Sequence, residues 1–127
     1  MTVADATPTG LKICIVDDDP LLLGHLAEAV SGLGHTALPA MKVDTALEIV
    51  AASSVDAVVV DILMPDRDAL DFIMAIRGVV PRIRIVAMSG GGRIGANAVL
   101  TMATGLGADA VLAKPFSITE LEQALTG

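Results

Sequence analysis

The sequence predicts an α/β protein, a doubly wound parallel sheet of five strands alternating with five helices, and three observations predict it. Short apolar runs recur at Leu11–Val16, His35–Ala40, Ala57–Val60, Ile83–Met88 and Ala110–Ala113. They start roughly 20 to 28 residues apart, too far for hairpins and right for strand–helix–strand units. The first run is almost continuously apolar, the pattern of a strand covered on both faces. The segments between the runs carry helix start and stop signals. A chain of 127 residues fits one domain with a proper core, and the period comes from supersecondary structure without an internal sequence repeat.

In chain order, residues 1–10 lack periodicity, contain Pro8 and Gly10, and read as a flexible tail ahead of a single domain over residues 11–127. After the first strand, Asp19 offers an N-cap side chain and Pro20 a proline at the first helical position. That helix runs through Leu22, Leu26 and Val30, with Gly32 or Gly34 to end it. The second helix is Thr45–Ala52, with Asp44 as its candidate cap. The third is Ala69–Arg77, capped by Asp68 and followed by Pro81. The fourth is Ala96–Leu106, closed by Gly105 or Gly107. Ser117 and Glu120 form a capping box for a fifth that ends near Leu125.

Composition excludes several classes of function. Hydrophobic residues make up 54% of the chain, yet Phe72 and Phe116 are its only aromatics, which leaves little surface for stacking bases. A net charge of −7, with no cluster of Lys or Arg, argues against electrostatic capture of nucleic acid. One cysteine, Cys14, excludes an intrachain disulfide and fits a reducing compartment. The polar, acidic first ten residues make no signal peptide, and no apolar run approaches the roughly 20 residues needed to span a bilayer. The expectation is a soluble, cytoplasmic domain binding neither nucleic acid nor membrane.

In a parallel sheet, ligands bind beyond the carboxyl ends of the strands, so the residues following each strand carry the chemistry. Strand 1 is followed by Asp17, Asp18 and Asp19. Strand 3 ends in Asp61, strand 4 at Ser89 before a run of three glycines, and strand 5 at Lys114, Pro115 and Phe116. With strands 1 and 3 adjacent, Asp17, Asp18 and Asp61 converge. Two carboxylates about 4 Å apart repel by several kcal/mol at an effective dielectric near 20, so such a pocket shares a proton or binds a cation. Oxygen ligands alone suit Mg²⁺ retaining several waters. A phosphoryl group would find its partners in the Lys114 ammonium and the Ser89 hydroxyl. Together these make a phosphoryl-transfer site, with Asp61 as a carboxylate nucleophile able to form an acyl phosphate.

Four stretches, in order and on the right strands, resemble the receiver domain of two-component response regulators over nearly all of Leu11–Leu125. They are Ile15–Pro20, Val60–Pro65, Met88–Gly90, and Gly107–Asp109 together with Lys114–Phe116. The resemblance implies a flavodoxin-like sheet of order 2-1-3-4-5 in a stand-alone domain without an output domain, of bacterial type. It implies that Asp61 takes its phosphoryl group from a sensor histidine kinase or a phosphotransfer protein. Asp18 and Asp61 would ligand Mg²⁺, helped by the Leu63 backbone carbonyl and by Asp17 through water. Ser89 and Lys114 would hold phosphoryl oxygens, the Lys114–Pro115 bond would be cis, and a protein target would meet the face of helix 4, strand 5 and helix 5. Such a domain is a switch, relay or phosphate sink that catalyses only its own phosphorylation and dephosphorylation.

The chain departs from the family pattern at three places. Val111 stands where receivers usually carry Tyr or Phe, so the usual coupling of Ser89 to an aromatic cannot operate. Ala69 replaces a glycine common in that turn. Leu63 and Gly91, two residues past Asp61 and Ser89, offer no side chain to orient an attacking water.

Other readings compete with this one. A small Mg²⁺-dependent aspartyl-phosphate phosphatase resembling haloacid dehalogenase-type hydrolases would use Asp17 of the Asp17-Asp18-Asp19 run as its nucleophile. Leu21 sits where that family prefers Thr or Val, and Asp61 goes unexplained. A flavin or nucleotide binder lacks Trp, Tyr and a phosphate loop after strand 1. Gly90, Gly92 and Gly95 match a dinucleotide fingerprint but follow strand 4 and not strand 1. His25 and His35 have no partner at ligand spacing and read as surface or packing residues, and Cys14 reads as a small buried apolar residue.

Overall fold

The computed structural model describes residues 10–62, 69–90, 101, 104–105 and 107–127. Five strands, β1 (Lys12–Val16), β2 (Thr36–Ala40), β3 (Ala57–Asp61), β4 (Arg84–Gly90) and β5 (Ala110–Lys114), form one sheet. All pairings are parallel and the order is β2-β1-β3-β4-β5. The helices are α1 (Pro20–Gly32), α2 (Val43–Ala52), α3 (Ala69–Val79) and α4 (Ile118–Thr126). The predicted fourth helix, Ala96–Leu106, lies outside the described residues except for Thr101, Thr104 and Gly105, which are helical. The candidate cap Asp68, the expected ligand Leu63 and residues 1–9 of the tail also lie outside them.

Alternation along the strands divides the core in two. Cys14, Val16, Val58, Val60, Ile85 and Ala87 face α2 and α3, packing on Val43, Ala46, Phe72, Ile73 and Ile76. Ile13, Ile15, Val59, Val86 and Met88 face the other way, onto Leu23, Leu26 and Val30 of α1 and Leu121 and Leu125 of α4. Central β3 is buried at every position, whereas edge strand β2 buries only Ala40. That contrast is the one expected between a strand covered on both faces and an edge strand.

Capping follows the sequence signals at two helices and departs at one. The Asp19 carboxylate accepts from the Leu21 and Leu22 amides, with Pro20 opening α1. Gly34 turns the chain back with a φ of +92°, open to a residue without Cβ. Ser117 and Glu120 form both halves of the capping box on α4. The expected Asp44 cap of α2 is corrected: Lys42 is the N-cap, without a side-chain bond, and Asp44 sits inside the first turn. The fully buried Val43 begins the apolar stripe continued by Ala46 and Val50, so packing starts the helix ahead of Asp44. Among the described residues, no helix is long and apolar enough to cross a membrane.

Candidate functional site

Strand register brings the polar side chains together at the carboxyl-terminal edge of the sheet. Val16 pairs with Val60, so the residues that follow, Asp17 and Asp61, leave adjacent strands side by side. Asp61 pairs with Met88, which places Ser89 one step further along β4, and Gly90 pairs with Lys114 on β5. Four strand ends therefore bring carboxylates, a hydroxyl and an ammonium to one crevice.

Asp17 is 1% exposed and Asp61 7%, a degree of burial that anionic groups tolerate only when paired. The partner is Lys114, whose Nζ donates to Asp17 Oδ2 at 3.1 Å and to Asp61 Oδ2 at 3.0 Å. Burial, the largest single influence on the Lys114 ammonium, works to lower its pKa. Hydrogen bonds and charge from Asp61, then from Asp17, together outweigh that effect and raise it above the usual lysine value. Asp17 Oδ1 also accepts from the Asp19 backbone amide at 2.9 Å. This bond ties the turn between β1 and α1 to the site, and no side-chain pattern in the sequence announced it.

Carboxylate oxygens of Asp17, Asp18 and Asp61 lie within 4.8 Å of one another, with Asp18 exposed. Hard oxygen donors gathered this closely, one of them open to water, fit a divalent cation such as Mg²⁺. Beside them Ser89 is fully buried, and its Oγ has no hydrogen-bond partner among the described residues. A buried, unpaired hydroxyl costs roughly 1–3 kcal/mol, a cost that an arriving oxygen acceptor would relieve.

The other singled-out residues lie around this cluster or away from it. The Lys114–Pro115 peptide bond is cis, and Val111 on β5 is 39% exposed. His25 lies on the exposed side of α1, and His35 Nδ1 accepts from the Leu11 amide at 2.9 Å, so neither joins the carboxylates. Cys14 is buried, and burial pushes its thiol pKa up to about 12, leaving it protonated and unreactive at neutral pH. An apolar groove of about 500 Å³ adjoins the site, walled by Leu22, Leu26, Phe116, Ile118 and Leu121, with Lys114 at its edge.

Comparison with known proteins supplies the lineage. The family model for the response regulator receiver domain matches residues 13–126. The DNA-binding transcriptional regulator NtrC of Azospirillum brasilense is 33% identical over 111 residues, which are 86% of this chain and 22% of NtrC. Response regulator MprA of Mycolicibacterium vanbaalenii is 31% identical over 113 residues, 87% of this chain and 47% of MprA. The chain thus spans less than half the length of the curated relatives it matches. Among solved structures, a response regulator receiver domain protein from Clostridium thermocellum aligns with a TM-score of 0.83 at 25% identity, over 91% of this chain and 90% of that one.

Proposed function

Because the chain belongs to the response regulator receiver domain family, we propose that Asp61 accepts a phosphoryl group from the phosphohistidine of a sensor histidine kinase or a phosphotransfer protein. The observation that carries this reading is the pairing of one ammonium, Lys114, with two buried carboxylates, Asp17 and Asp61. A buried carboxylate freed from that ion pair is a nucleophile held at a strand end, facing a crevice. An Asp61 oxygen attacks phosphorus as the bond from phosphorus to the histidine nitrogen breaks. The departing imidazole keeps that electron pair and takes a proton, and Asp61 becomes an acyl phosphate.

Asp18 and Asp61 would hold Mg²⁺ directly and Asp17 through water, with the Leu63 carbonyl, outside the described residues, as a further ligand. When bound, the cation neutralises charge that accumulates on the phosphoryl oxygens during transfer. Lys114 turns its ammonium from the carboxylates to a phosphoryl oxygen, and the Ser89 hydroxyl donates to another. A phosphoryl oxygen accepting from Ser89, whose Oγ has no partner among the described residues, makes the phosphorylated state selectively favourable.

Val111 cannot swing an aromatic ring inward, so the output runs through a partner on the β5–α4 side, through a relay, or through storage of phosphate. Leu63 and Gly91 leave an attacking water unoriented, so the acyl phosphate is long-lived; persistence of ³²P on the purified phosphoprotein measures this, and rapid loss would refute it. The acceptor itself is tested by incubation with Mg²⁺ and acetyl phosphate, followed by intact mass. Asp61→Asn abolishes the phosphoryl adduct, whereas Asp17→Asn slows its formation. Loss with Asp17→Asn and retention with Asp61→Asn would instead make Asp17 the nucleophile, the phosphatase chemistry.

A further inference from the structure

At the opposite end of the sheet from the carboxylates, Arg77 spends all five guanidinium donors on four groups outside its own helix. Nε donates to the Gly107 carbonyl at 3.2 Å, and Nη2 to the same carbonyl at 2.8 Å and to Asp109 Oδ2 at 2.6 Å. Nη1 donates to the carbonyls of Pro81 at 2.7 Å and Ile83 at 2.8 Å. Asp109 Oδ2 accepts a second bond, from the Ile85 amide at 2.8 Å, while the Asp109 amide donates to the Ile85 carbonyl at 2.7 Å. One planar fork thereby joins the end of α3, the start of β4 and the approach to β5. Gly107 is shaped to this contact: its φ is +126°, and a Cβ there would meet Arg77 Cγ and Nε at 3.4 Å.

The connection from β4 to β5 therefore leaves from Gly90, next to Ser89 in the site, and Gly107, three residues before β5, is held by Arg77. We propose that Arg77 is the fixed anchor of the domain's response to phosphorylation, keeping Gly107 and the start of β5 in place whatever the state of Asp61. The proposal rests on the receiver reading above. Rearrangement begun at Asp61 and Ser89 is then confined to the carboxyl-terminal side of the sheet. Five bonds from one charged group supply the restraint, because removing the guanidinium takes these donors from the Pro81, Ile83 and Gly107 carbonyls together and the counter-charge from Asp109. Lysine, a point charge with three donors, cannot reproduce the fork.

Amide NMR of the full chain with Mg²⁺, with and without beryllofluoride, tests this in the wild type, Arg77→Lys and Arg77→Ala. Expected in the wild type are large shifts at Ile62, Ser89 and Lys114, with small ones at Ile83, Ile85, Gly107 and Asp109. In Arg77→Ala the shifts spread to that second group, and exchange of the Ile85 and Asp109 amides speeds up roughly tenfold or more. Wild-type shifts at Gly107 as large as those at Ser89 would overturn the anchor, as would an Arg77→Ala response identical to the wild type. No shift around Asp61 in the wild type would instead refute the receiver reading, and the anchor with it. If Arg77→Ala does not fold, Asp109→Asn removes one charged partner and gives the same two outcomes.

Discussion

Lys114 shows how a single side chain sets the state of the site. It balances two buried carboxylates that would otherwise repel each other, and so holds the place that a metal cation would take. Mg²⁺ held by Asp61, as proposed above, would compete with that ammonium. Lys114→Met should therefore strengthen Mg²⁺ binding by roughly tenfold, the worth of a hydrogen bond to a charged group. The same variant should unfold more readily without Mg²⁺ and recover much of that loss when Mg²⁺ is added. Calorimetric titration and melting with and without Mg²⁺ check both effects. Unchanged or weaker Mg²⁺ binding would show that the lysine does not compete. Asp17, Asp18, Asp61, Ser89 and Lys114 were legible because each falls where an apolar run stops. The Asp19 amide on Asp17 Oδ1 was not, because backbone donors leave no mark in a sequence.

The helices that frame the site show where sequence rules hold and where packing overrides them. Asp19 ahead of Pro20, and Ser117 with Glu120, cap α1 and α4; the N-cap residues stand two past Asp17 and three past Lys114 respectively. At α1 the cap residue also serves the site, because the Asp19 amide donates to Asp17. Ser117→Ala removes the bond to the Glu120 amide, 3.0 Å long, and should cost about 1 kcal/mol. In urea this appears as a lower midpoint with unchanged slope; an unchanged midpoint would show that the cap contributes nothing. At α2 the same rule misplaced the cap at Asp44, because a fully buried Val43 outweighs a favourable capping side chain. Arg77 was read only as the end of the third helix. Its partners, the backbone carbonyls of Pro81, Ile83 and Gly107 and the carboxylate of Asp109, lie outside the helix, so only the folded chain brings them together.

Across the whole molecule, the sheet separates two core layers, and Cys14 sits without exposure in the layer facing α2 and α3. That position makes the stability of the domain depend on pH in the alkaline range. The thiol pKa is about 12 in the folded protein against 9.0 for the free group. Above pH 9 the unfolded chain sheds this proton and the folded one keeps it, so the unfolded state binds fewer protons and stability falls as pH rises. One such group gives a slope of about 1.4 kcal/mol per pH unit, beginning near the ordinary thiol pKa and ending near the raised one. Lys114 acts later. Its contribution is complete below the usual value of 10.5 and is lost only as pH climbs through its own raised pKa. Urea midpoints of the wild type and Cys14→Ala at intervals from pH 8 to 11 separate the two. Cys14→Ala lowers stability at every pH by leaving a small cavity, but its profile stays flat past pH 9 and bends only where Lys114 titrates. A variant whose stability still falls from pH 9 as the wild type's does would place the alkaline sensitivity elsewhere in the fold.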